Sequence, residues 1–236
     1  MSKPNPSFRI SNNDDVLKRS CQDLLLGLTS SSLIIVDFDE CLVNLHFSRQ
    51  MSLERNAHLG QKNNKIDGFD AQSLLKLSLA WRGLTYSQIE EIALEICSIT
   101  NWAIGAKEFL ERLTANTQNA VIIASSGVEI GIKTWLNFNN LILPILSTQL
   151  TFNDHMLCVG PRLLVTNHGK AILVREARRM SKFQRIIAIG HSKGDMEMLA
   201  AADLSIVIRG DKDVETRGHI LATNFCDLNS IPHLFS

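Results

Sequence analysis

The chain has no excess charge. Its 236 residues carry 24 Lys and Arg against 24 Asp and Glu, a formal net charge of zero, so the composition builds no basic surface of the kind that holds nucleic acid. The one basic cluster, Arg175, Arg178, Arg179 and Lys182, falls near the expected end of a helix. Cations there complement the helix dipole and read as a solvated face. Paired cysteines are also missing: the five thiols, Cys21, Cys41, Cys97, Cys158 and Cys226, are odd in number and form no C-x-x-C. Free thiols in a reducing cytosol are the simplest account, and a cytoplasmic location is expected. The polar first 15 residues have no apolar core of the signal-peptide type. No stretch of 18 apolar residues occurs, so no membrane span is expected, and neither repeats nor low-complexity segments interrupt the chain. A hydrophobic fraction of 45% with 20% charged residues suits a soluble globular protein of one domain, or one domain with a small insertion.

What the chain does have is apolar segments of strand length alternating with amphipathic helices. Residues 1–13, with Pro4 and Pro6, read as a flexible tail. The pattern predicts a helix over Val16–Leu28 and strands over 33–37, 120–124, 185–189 and 204–208. Helices are expected over 106–113, 128–136, 170–180 and 195–201, a short strand over 141–146, and a hairpin over 149–159 turning at Asn153-Asp154. Residues 44–103 break this rhythm. There, 56–67 reads as a loop, while 71–81 and 87–98 read as helices. The second helix has an apolar stripe (Ile89, Ile92, Ala93, Ile96, Cys97) behind the capping-box pattern Thr85-Tyr86-Ser87-Gln88. The whole predicts an α/β fold: a Rossmann-like, doubly wound, mostly parallel sheet with a small inserted α-helical cap. The core domain comprises 14–43 and 104–236, and the cap 44–103.

Residues 33–43, Leu-Ile-Ile-Val-Asp-Phe-Asp-Glu-Cys-Leu-Val, carry the strongest signal. Apolar residues run into two carboxylates one residue apart, Asp37 and Asp39. Parallel strands present their C-terminal ends along one edge of a sheet, where open α/β sheets bind ligands. Ser125 and the Gly190-His191-Ser192-Lys193-Gly194-Asp195 loop also follow apolar strands, and Lys170 opens a helix that can reach the same crevice. Two acids, a hydroxyl and an ammonium are what phosphoryl transfer to a carboxylate needs: a nucleophile, a proton donor and acceptor, and groups that hold the phosphoryl oxygens.

These motifs, in this order over about residues 33–210, resemble the haloacid dehalogenase superfamily. Helix 85–98, Ile104-Gly105-Ala106-Lys107-Glu108-Phe109-Leu110 and Leu146-Ser147-Thr148-Gln149-Leu150 are similar to its phosphoserine-phosphatase-like branch, with a C1-type cap. The resemblance implies a metal-dependent phosphatase that works through an aspartyl-phosphate on a small phosphorylated metabolite. Asp37 would be the nucleophile and Asp39 the general acid/base. Ser125 and Lys170 would hold the phosphoryl group, with Ser126 as the alternative hydroxyl and Gly127 beside it. The implied cofactor is Mg²⁺, or Mn²⁺ or another divalent cation, on Asp37, Asp39 (through its backbone carbonyl), Asp195 and His191.

His191 departs from the family, which usually places an aspartate there. Three readings follow: Asp195 takes over the metal contact; the imidazole selects a softer ion such as Mn²⁺; or catalysis is impaired and the domain binds a phosphorylated ligand or a protein partner. Cys41 replaces the more usual threonine and is expected to pack or orient rather than react. His46 stands nine residues after Asp37, where phosphoserine phosphatases carry a glutamate for the substrate ammonium, so phosphoserine itself is not the expected substrate. His46 and Arg82, with Arg49 and Arg55, are the candidate specificity contacts.

Overall fold

The structure, a computed structural model, describes residues 13–60, 71–210, 212–231 and 234. Seven strands form one sheet in the order β4-β3-β2-β1-β5-β6-β7. They are β1 (Ser32–Val36), β2 (Asn119–Val128), β3 (Ile145–Phe152), β4 (Cys158–Leu163), β5 (Arg185–Gly190), β6 (Leu204–Ile208) and β7 (Ile220–Ala222). All neighbours pair in parallel except β3 and β4, which form the antiparallel hairpin.

Successive strand residues point to opposite faces, and the core divides accordingly. Ile34, Val36, Val121, Ile123, Ile187 and Ile189 belong to one apolar cluster, and Leu33, Ile35, Ala120, Ile122, Ile186 and Ala188 to the other. Both faces are therefore apolar, which is why the strands read as continuous hydrophobic runs. Helices α1 (Asn13–Leu26), α7 (Asn167–Arg179) and α8 (Met196–Ala201) supply Leu17, Leu25, Ile172, Leu173 and Met198 to the second cluster. Helices α5 (Ala106–Ala115) and α6 (Glu129–Phe138) supply Phe109, Leu113, Ile132 and Trp135 to the first. This is the doubly wound α/β sheet that the alternation predicts. Two short helices, α9 (Lys212–Glu215) and α10 (Phe225–Leu228), complete the C-terminal part.

Between β1 and α5 lie α2 (Phe47–His58), α3 (Ala71–Leu79) and α4 (Tyr86–Cys97). The Thr85 capping box forms: Thr85 Oγ1 accepts from the Gln88 amide at 3.2 Å, and the Gln88 side chain accepts from the Thr85 amide at 2.9 Å. Phe47, Met51, Ile89, Ile92 and Ile96 of α2 and α4 join the cluster under the first sheet face. Gly131 of α6 lets α2 approach, since a Cβ there would meet the Met51 sulfur at 2.3 Å.

Several boundaries differ from the expectation. Of the expected tail, only Asn13 is described; it is buried, and its side-chain amide bonds both backbone groups of Leu164. Of the expected loop 56–67, residues 61–67 lie outside the described set, and 56–58 close α2, a helix the sequence did not suggest. The strand expected over 141–146 begins only at Ile145, because Pro144 has no amide to donate and Ile142 is 98% exposed. Helix α7 starts three residues before Lys170, capped by Thr166 Oγ1, which accepts from the Gly169 amide at 3.1 Å. Strand β2 continues through Ser125 to Val128, with a bulge between Ala124 and Val128.

Candidate active site

Sheet register fixes the site. Val36 pairs with Ile123 on β2 and with Ile189 on β5, and the Asp37 amide donates to the Ile189 carbonyl at 3.0 Å. Asp37, Ser125 and His191 therefore leave three adjacent strands within a residue of one row. Beyond Asp37 the chain reverses in a tight turn, Phe38–Leu42, where Glu40 sits at φ 53. A left-handed non-glycine residue costs roughly 1–2 kcal/mol. The Glu40 amide donates to the Leu45 carbonyl at 3.2 Å, and the Arg209 guanidinium donates to the Glu40 carbonyl at 3.4 Å.

Asp37, Lys170 and Asp195 are all buried. The Lys170 ammonium bridges the two acids, donating to Asp37 Oδ1 at 2.6 Å and to Asp195 Oδ1 at 2.7 Å. His191 Nδ1 lies 3.1 Å from the other Asp37 oxygen and 3.6 Å from Asp195 Oδ2, and its Nε2 lies 3.9 Å from Glu40 Oε2. Asp195 Oδ2 also accepts from the His191 amide at 3.0 Å and from the Ser192 amide and hydroxyl at 3.0 and 3.1 Å. Gly190 makes this closure possible, because a Cβ there would stand 2.6 Å from Asp195 Cβ.

Asp39 turns away from this network towards the first turn of α2. The Ser48 amide donates to Oδ1 at 3.0 Å and the Ser48 hydroxyl to Oδ2 at 2.7 Å. His46, the N-cap of α2, holds Nδ1 3.8 Å from Asp39 Oδ2. Ser125 Oγ accepts from the Gly127 amide at 3.0 Å and keeps its own hydrogen for a further acceptor. Gly127 packs directly on Ser48: a Cβ there would meet Ser48 Oγ at 2.1 Å and Ser125 Oγ at 3.3 Å. Ser125, Gly127, Ser48 and Asp39 thus form a second wall beside the first.

The two acids titrate in opposite directions. Burial alone would raise the Asp37 pKa, but Lys170 and His191 outweigh it and hold the carboxyl down at about 2. Burial raises the Asp39 pKa and the charge of Asp37 adds to it, against the opposing pull of His46 and Ser48. Burial would lower Lys170 and His191, but the facing Asp195 and Asp37 carboxylates hold both above their ordinary values.

The structure thus draws together Asp37, Asp39, Ser125, Gly127, Lys170, His191, Asp195 and His46. It does not bring Arg55 or Arg82 to these groups. Arg82 is exposed and donates to the Val159 carbonyl on β4 at 2.8 Å, three strands from β1. Arg49 is exposed on α2. Arg55 is buried against the Trp81 ring at 5.5 Å and bonds the Asn56 side chain. The Ser126 carbonyl is held by Thr148 Oγ1 at 2.9 Å. Sequence reasoning missed Ser48, which a serine at the start of a helix could have signalled. It also gave Cys41 no chemical role.

A divalent cation fits beside Asp37, whose Oδ2 faces His191. The chemistry of the remaining donors limits which ion. The Asp195 oxygens are engaged by the donors already named and the Asp39 carboxylate by Ser48, while the His191 imidazole beside Asp37 suits a softer ion than Mg²⁺.

No family model and no curated relative matches the sequence; the likeness is in three dimensions. A phosphoserine phosphatase solved with a phospho-aspartyl intermediate analogue superposes at a TM-score of 0.64 and 20% identity, over 88% of this chain and 100% of that one. A HAD family hydrolase from Salmonella enterica subsp. enterica serovar Typhi superposes at 0.61 and 17%, over 91% and 79%. Cytosolic 5′-nucleotidase IIIB bound to cytidine superposes at 0.57 and 15%, over 97% and 95%. With its mostly parallel seven-stranded sheet and flanking helices, the chain has the fold of the phosphoserine phosphatases and HAD family hydrolases.

Proposed function

We propose that the protein is a phosphatase that hydrolyses a small phosphomonoester through an aspartyl-phosphate. The observation that carries this reading is the buried Lys170 ammonium bridging Asp37 and Asp195 at the sheet edge, with the second acid, Asp39, two residues from the first. Asp37 is ionised throughout the neutral range and attacks phosphorus as the ester oxygen leaves. Asp39, its pKa raised, gives that oxygen a proton and then takes one from the water that opens the aspartyl-phosphate. Lys170 and the Ser125 hydroxyl face the phosphoryl oxygens and offset their charge. A divalent cation held by Asp37 and His191 would reduce repulsion between the ionised nucleophile and its anionic substrate. His46 and Gly127, which adjoin Asp39 and Ser125, contact the substrate nearest the reacting group.

A panel of small phosphate esters, supplied with Mg²⁺, Mn²⁺ or Zn²⁺ in turn, tests the proposal. Turnover in the wild type and its loss in Asp37→Asn, with the fold intact, are expected. Specific binding of an ester without turnover under any cation would overturn it.

A further inference from the structure

The geometry points to a thiophilic cation site: Asp37, Cys41 and His191 form a three-donor set for a divalent ion of the zinc class in preference to Mg²⁺. Its role in turnover rests on the phosphatase reading; its occupancy does not. A carboxylate oxygen of Asp37, the Cys41 sulfur and an imidazole nitrogen of His191 all lie within 4.8 Å of one another. Donors that share one ion at bond lengths of about 2.0–2.3 Å stand at most about that far apart, so small side-chain rotations close the set.

The sulfur is there because of the turn. The left-handed Glu40 folds Phe38–Leu42 back on itself, and the Val43 amide closes it on the Phe38 carbonyl at 3.3 Å. Cys41 is brought in four residues after Asp37 and is wholly buried. The Asp195 carboxylate is already held by Lys170, Ser192 and the His191 amide, and the Asp39 carboxylate by Ser48. The cluster itself offers one oxygen, one nitrogen and one sulfur. Zinc-class ions take such mixed ligands tetrahedrally and leave a fourth position open, whereas Mg²⁺ dehydrates reluctantly and prefers oxygen throughout.

The test uses the full chain, stripped of metal by a chelator and titrated with Co²⁺ while near-ultraviolet absorption is recorded. A thiolate-to-cobalt charge-transfer band is expected. Stoichiometric Zn²⁺ should displace it and excess Mg²⁺ should not. Cys41→Ser should lose the band and bind Zn²⁺ at least about tenfold more weakly by calorimetry, while Cys226→Ser, which removes the exposed thiol, should keep both. Absence of the band, its persistence in Cys41→Ser, or displacement by Mg²⁺ at matching concentration would overturn the inference. Should Cys41→Ser fail to fold, the Zn²⁺-against-Mg²⁺ competition on the wild type decides alone. An active enzyme that binds Mg²⁺ in preference to Zn²⁺ would remove this inference and leave the phosphatase reading standing. Tight Zn²⁺ binding without hydrolysis of any ester would do the reverse.

Discussion

Replacing Lys170 with methionine should expose how strongly one ammonium holds the site together. The substitution keeps an unbranched apolar stem, one atom shorter, and removes a cation that sits 2.6 and 2.7 Å from two buried carboxylates. Breaking a buried ion pair by deleting one partner typically costs about 3–5 kcal/mol, because the other charge remains desolvated. Two carboxylates are orphaned here, which pushes upward, but His191 remains 3.1 Å from Asp37, which pulls back. A loss of about 3–5 kcal/mol is the expected net at neutral pH.

The pH dependence makes the test specific. In the wild type, Asp37 is held at about 2 against an ordinary 3.8. That contribution is fully present above about 4 and is lost as pH falls towards 2. At about 1.4 kcal/mol per unit it amounts to about 2–3 kcal/mol. In Lys170→Met that contribution is lost, so the variant's deficit is full above about pH 4 and shrinks as pH falls towards 2. Urea unfolding of both proteins at several pH values between 2 and 7 would measure it. An unchanged midpoint at neutral pH, or a deficit that stays constant on acidification, would refute the reasoning.

Ser48→Ala removes the hydroxyl that donates to Asp39 Oδ2 at 2.7 Å; the Asp39 pKa should rise further, seen as an upward shift of the limb it governs in the pH–rate profile. His191→Asp adds a carboxylate beside Asp37 and should tighten Mg²⁺ binding, and equal affinities in calorimetry would contradict this charge argument. Thr85→Ala breaks the capping box of α4 and should cost about 1 kcal/mol in chemical unfolding, leaving the Asp37 network untouched.

The parts of this molecule that can be read from sequence are those governed by local periodicity. Strands buried on both faces advertise themselves as Ile- and Val-rich runs, and the acid, hydroxyl and imidazole at their ends follow from where those runs stop. Thr85 and Gln88 likewise make their box within four residues. What escapes is set by contacts across the chain. Helix α2 buries only Phe47, Met51, Arg55 and Asn56, too polar a stripe to stand out, so the Ser48 partner of Asp39 stayed hidden. The Cys41 sulfur is turned towards Asp37 by one positive φ at Glu40, which no side-chain pattern announces. Arg82 has the right chemistry for an anion, and only the fold shows that it is committed to the Val159 carbonyl.

The register of β1 also determines where this gene can tolerate changes in length. Asp37 emerges in step with Gly190 and Ala124 because Val36 is locked to Ile189 and Ile123. One codon inserted or deleted within residues 33–36 would pull the carboxylate out of that row and swap every side chain between the two apolar faces. The same indel in the α3–α4 connection would disturb only its pairing with β4, where the Gly83 amide donates to the Cys158 carbonyl at 2.9 Å, and leave the three strand tips aligned.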